Sequence, residues 1–84
     1  MYEIIFSNEA KKQLSKLSGL QKNRIGNALE RIRIRPHKFI RRLYNSRYYR
    51  LRVDHFRVIL DLRDMQLVIY VIEIGKRGEV YRRY

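Results

Sequence analysis

The chain has 84 residues, room for one domain and one modest core, and its 20 lysines and arginines against 8 acids give a formal charge of +12. It has no cysteine and only 2 histidines, well separated, which excludes disulfide staples, thiolate metal sites and a closed zinc site; no apolar run approaches the roughly 18 residues of a membrane span. So basic a body draws polyanions or acidic proteins, and because the cations lie in both halves the charge belongs to a folded surface and not to a tail.

Tyr2 to Phe6 is short, β-branched and aromatic, the mark of a strand, and Ser7-Asn8-Glu9 after it offers an N-cap oxygen and an early carboxylate for a helix. Ala10, Leu14 and Leu17 recur at helical spacing with Lys11, Lys12 and Lys16 outward, and Ser18-Gly19 reads as the stop. A second helix takes Ile25, Ala28, Leu29 and Ile32 on one face and ends before Pro36. The two make an αα-hairpin. Gly26 is costly inside that helix, which predicts a close approach of helix or sheet there.

His37 to Ser46 shows no period and is expected to be a surface loop pinned by Phe39, Ile40 and Leu43. Three strands follow. Tyr49, Leu51 and Val53 alternate with Tyr48, Arg50 and Arg52; Asp54-His55 is a turn; Phe56, Val58, Leu60 and Leu62 alternate with Arg57, Ile59, Asp61 and Arg63. One face is thus apolar and the other cationic. After a turn at Arg63-Asp64-Met65, Leu67 to Ile72 is apolar on both faces, as in a strand covered on both sides, with Gly75 ending it. The expected fold is α+β: a two-layer sandwich in β-α-α-β-β-β order, with the αα-hairpin on a mostly antiparallel sheet. Residues 1–84 form a single domain with no repeat or linker. The start of the chain lacks the basic-then-apolar order of a signal peptide, and a soluble, cytoplasmic protein is expected.

Arginines and tyrosines interleave through the second half, in Tyr48-Tyr49-Arg50-Leu51-Arg52-Val53, Phe56-Arg57-Val58, Gly75-Lys76-Arg77 and Tyr81-Arg82-Arg83-Tyr84. Guanidinium groups match phosphate in bidentate fashion and aromatic rings stack on unpaired bases, so the pairing points to RNA. The bland alternative for any one of these arginines is a solvated sheet face, and for Tyr81 a ring that only packs the C-terminal segment down. His55 suits acid-base chemistry by its titration range, but a place in a hairpin turn argues against that role. The runs Arg31 to Arg35 and Arg41 to Arg42 read more simply as solvated surface than as contacts to a large RNA-bearing partner.

The stretches Tyr48 to Ile59, Asp61 to Asp64 and Val71 to Tyr81, together with Ile4-Ile5-Phe6-Ser7 and the lysine-rich helix after Glu9, resemble the RelE branch of the RelE/ParE toxin superfamily over essentially the whole chain. The resemblance implies the toxin of a type II toxin-antitoxin system, a ribosome-dependent endoribonuclease that cleaves message in the decoding site by attack of a ribose 2′-hydroxyl on the adjacent phosphate. It carries catalytic roles onto Arg50, Arg57, Arg77 and Tyr81. Arg52, Lys76, Arg82 and Arg83 are the accompanying RNA-binding residues, and no metal or small-molecule cofactor is implied. The partners are the ribosome with its mRNA and a cognate acidic antitoxin of RelB type; no membrane is involved. Where well-known members place lysines on the cationic strand, this chain has Tyr48 and Arg50, and arginine is a poor proton acceptor. Arg50 and Arg57 are therefore assigned to charge stabilisation. The competing readings are a ParE-like toxin acting on DNA gyrase and a non-catalytic RNA- or antitoxin-binding module of the same fold.

Overall fold

The first turn of helix is fixed by a serine that works on two elements at once. In the computed structural model, which describes residues 1–76, strand β1 (Glu3–Phe6) passes into helix α1 (Asn8–Ser15) through Ser7. The Ser7 hydroxyl oxygen accepts from the Ala10 N–H at 3.0 Å and the hydroxyl donates to the Ile72 carbonyl at 2.7 Å. A satisfied N-cap of this kind is worth about 1 kcal/mol. Helix α2 (Gly19–Ile34) begins on a capping box, in which Gln21 N–H donates to the Ser18 hydroxyl and Ser18 N–H to Gln21 Oε1. Ser18-Gly19 therefore opens the second helix, whereas the sequence reading made it the stop of the first. A side-chain cap at Ser18 satisfies donors that the last turn of α1 does not have.

The segment expected to be a loop holds two short elements, helix α3 (Pro36–Phe39) and strand β2 (Arg41–Arg42). Proline suits the first helical position because its missing N–H would have had no partner there. Strands β3 (Tyr49–Val53) and β4 (Phe56–Arg63) form the expected hairpin across Asp54-His55. Asp54 has a left-handed φ of 53°, which aspartate tolerates in tight turns, and its carboxylate receives both bonds from Arg24 Nη1 at 3.0 Å. A 3-10 turn at Asp64–Gln66 leads into β5 (Val68–Lys76). Gly75 lies inside β5 and does not end it.

Among the described residues the five strands make one sheet in the order β1-β5-β4-β3-β2. β1 runs parallel to β5, and the other three junctions are antiparallel. The fold is α+β, three helices on a mixed sheet, as expected in class and with one strand and one helix more than the sequence suggested. The register slips between Ile59 and Leu60: Ile59 faces Glu73 and Leu60 faces Val71, leaving Ile72 over as a bulge. Leu67 to Ile72, apolar on both faces, is covered unequally on the two. Ile69 and Val71 are buried inward, while Val68, Tyr70 and Ile72 are only half-buried.

The core lies between the helices and one sheet face, with Ile25, Leu29 and Ile32 of α2 against Leu51, Val58, Leu60, Ile69 and Val71. Each such side chain contributes roughly 1.5 to 3 kcal/mol when fully buried. Gly26 stands away from it. A Cβ built there meets nothing within 4 Å, so the close approach inferred from the sequence does not occur. Among the described residues no helix is long and apolar enough to cross a membrane.

Candidate nucleic-acid interface

Strand alternation sends Leu51 and Val53 into the core and Arg50 and Arg52 to the opposite face. The register then sets cation against cation. Arg41 of β2 lies directly opposite Arg50, and Arg52 directly opposite Arg57 of β4. Like charges so placed oppose pairing by a few tenths to 1 kcal/mol each, so the hairpin holds together through its inward face. Arg57 faces Gly75 on its other side, a position that brings no side chain to the row.

The three predicted arginines thus share one face, but not one environment. Arg52 is exposed, Arg50 half-buried and Arg57 only 5% exposed. The sequence reading made β4's outer positions an open cationic surface; instead Arg57, Ile59 and Asp61 are all buried. Glu73, also buried, occupies the position diagonal to Arg57 across β4 and β5. A guanidinium removed from water requires compensation, and burial fixes the direction of its fork. Asp61 is occupied by Arg63, whose Nε and Nη2 donate to Oδ2 at 3.1 and 2.9 Å.

His55 keeps the turn position expected of it, yet that turn sets it on a hollow of about 110 Å³ lined also by Arg52 and Arg57. Lys76 is exposed at the end of β5, opposite Phe56. Arg77, Tyr81, Arg82 and Arg83 lie outside the described residues. Among those described, no group of three His, Cys, Asp or Glu could hold a metal ion.

Two residues that the sequence reading left aside come to this face. Phe39, expected to pin a loop, is 41% exposed, and with Arg41, Arg50 and Arg52 it lines a cleft of about 380 Å³. Arg41 was read as plain solvated surface. A two-residue strand carries no alternation, so only its pairing with Arg50 reveals it.

The sequence model describing the ParE toxin of the type II toxin-antitoxin system parDE matches residues 4–81. No curated protein matches the chain. Among solved structures, the toxin of the intact E. coli RelBE toxin-antitoxin complex superposes with a TM-score of 0.80 at 20% identity, covering 94% of this chain and 100% of that one. The archaeal RelE-RelB complex from Pyrococcus horikoshii OT3 gives 0.79 at 22% identity over 93% and 97%. The isolated E. coli RelE toxin gives 0.76 at 24% over 99% and 94%. These likenesses establish a shared toxin fold. The chain belongs to the ParE toxin family of type II toxin-antitoxin systems, within the RelE/ParE superfamily that the sequence resembled.

Proposed function

We propose that this toxin is an endoribonuclease that cuts message held in the decoding site of the ribosome. The observation that carries the reading is the gathering of Arg50, Arg52 and Arg57 on one face of β3 and β4. In the proposed reaction the 2′-oxygen attacks phosphorus, the bond to the 5′-oxygen breaks, and a 2′,3′-cyclic phosphate and a free 5′-hydroxyl result. The net proton passes from the 2′-hydroxyl to the leaving oxygen. Arg50 and Arg57 stabilise the charge that develops on the 2′-oxygen and the phosphate, as fixed cations in a water-poor site do. Arg77 takes the leaving oxygen and Tyr81 stacks on a base, roles resting on the sequence resemblance alone. Arg52, Lys76, Arg82 and Arg83 hold the RNA backbone.

The same reading makes residues 1–84 one toxin domain acting in the cytoplasm. Its partner is an acidic antitoxin, by likeness to the RelB-bound structures. Such a segment would cover the cationic face by charge complementarity.

A second reading, inhibition of DNA gyrase, is favoured by the family model itself, which is that of ParE. Primer extension on message from cells expressing wild type and Arg77→Ala separates the two. Codon-associated cuts that vanish in the variant support the nuclease; growth arrest with intact message and trapped gyrase rejects it.

A further inference from the structure

The edge of the sheet beside α3 is open. β2 pairs only with Tyr49 and Arg50, so among the described residues Leu51, Arg52 and Val53 have no strand on their outer side. Along that edge runs a groove of about 390 Å³ whose other wall is α2, contributing Arg24, Asn27, Ala28 and Arg31. These positions recur at three- and four-residue intervals and so share one helix face. The groove meets the arginine cleft at Phe39 and Arg52, which line both. A continuous channel therefore leads from Arg41 and Arg50, past an exposed aromatic ring, to Arg31.

Its charge is one-sided. Among the described residues Asp54 is the single acid on its walls, and both its oxygens accept from Arg24 Nη1. Arg31, Arg41, Arg50 and Arg52 have no ion-pair partner among the described residues. Lys38 adds a further cation, its ammonium 5.8 Å from the centre of the Phe39 ring. The floor offers little to an amphipathic peptide, since Ala28, Leu51 and Val53 are already at least 92% buried and only Phe39 presents apolar surface. Unpaired arginines around one accessible ring are the components of a single-stranded nucleic acid site, where phosphates meet guanidinium groups and a base lies on the aromatic face.

We propose that this channel binds single-stranded RNA, with Phe39 as the stacking platform and Arg31, Arg41 and Arg52 as phosphate contacts. Resting on the nuclease reading, it holds the nucleotides that flank the phosphate cut at Arg50 and Arg57.

The test uses the full chain and a labelled single-stranded RNA of about ten nucleotides with 2′-O-methyl riboses, which can be bound but not cut, followed by fluorescence anisotropy over a salt series. Phe39→Ala is expected to weaken binding by about 5- to 100-fold, the range of one lost base stack, and Phe39→Tyr to restore it. Arg31→Gln with Arg41→Gln should lower the slope of log affinity against log salt by about 1.4, at roughly 0.7 for each phosphate on a single strand. Thermal melts confirm that the variants fold. An acidic helical peptide is the second probe. Loss of peptide affinity with RNA affinity unchanged would make the groove a protein-docking surface and overturn the proposal, as would variants that bind both probes like wild type. The outcome is separable from the nuclease reading: a chain that binds through the groove but leaves message intact removes the nuclease and keeps the channel. One that cuts message while ignoring Phe39 and Arg31 does the reverse.

Discussion

The amide oxygen of Gln13 accepts a hydrogen bond from the Ile74 N–H at 2.6 Å, so a helix side chain takes the place of a neighbouring strand. β1 pairs with β5 only as far as Phe6 and Val71. Beyond the bulge at Ile72 the edge of β5 has no strand on that side among the described residues, and Ser7 and Gln13 serve its backbone instead. The end of β5 that carries Gly75 and Lys76 toward the candidate site is thereby anchored from α1.

Replacing Gln13 by Ala should lower stability by about 1 to 3 kcal/mol, because the part-buried Ile74 N–H is left without its acceptor. Urea unfolding would show it as a lower midpoint with unchanged slope. A shift no larger than that of a surface control would mean that water replaces the amide freely.

Gly26→Ala should stabilise the protein by about 0.5 to 1 kcal/mol. The new methyl meets nothing within 4 Å, and alanine is the better helix former and has less freedom to lose on folding. Destabilisation in the same urea experiment would contradict the open surroundings at this position.

Acid should loosen the junction between the start of the chain and the 3-10 turn. The Tyr2 hydroxyl donates to Asp64 Oδ1 at 2.7 Å and His37 Nε2 lies 3.3 Å from both carboxylate oxygens. Chiefly the Tyr2 bond holds the Asp64 carboxyl below its usual range, against an opposing effect of burial, and the His37 contact adds to the lowering. A lowered folded-state value means stability that is present above the unfolded value of about 3.9 and is lost as pH falls through the folded one. Asp64 is half exposed, so the effect is small and screened by salt. Unfolding curves between about pH 6 and pH 2.5 should show part of the acid loss disappearing in Asp64→Asn; identical pH profiles would remove this carboxylate from the account.

His55→Gln is expected to leave message cleavage largely intact, although His55 shares a hollow with Arg52 and Arg57. The proposed chemistry uses the arginines of the face it adjoins to stabilise charge and assigns this imidazole no proton. Single-turnover cleavage on programmed ribosomes measures it. A loss of about a hundredfold or more, within the usual span for a general base, would make the imidazole the missing proton acceptor.

The strands and helices with a clear period were legible in the sequence. Ile25, Ala28, Leu29 and Ile32 marked one face of α2, and Leu51, Val53, Phe56 and Val58 marked the inward side of the hairpin. Less legible was whatever depends on a partner distant in sequence. β2 exists because Arg41 and Arg42 meet Arg50 and Tyr49, and two arginines carry no strand signal of their own. Arg57 looked like its exposed neighbours because alternation assigns a face and says nothing about what covers it. Ser18 illustrates a third kind of miss, since a cap residue and a helix stop share the same short vocabulary of serine and glycine.

The parallel pairing of β1 with β5 also governs when the sheet can be completed. Ile4 and Phe6 are made well before their strand partners Ile69 and Val71. β5 lies between β1 and β4, so the sheet cannot close before residue 71 has joined it, although the arginines of β3 and β4 come earlier in the chain. Contacts of such long sequence separation form late and slowly. The order of the strands thus makes closure of the sheet a late event, set by the pairing that is farthest apart in sequence.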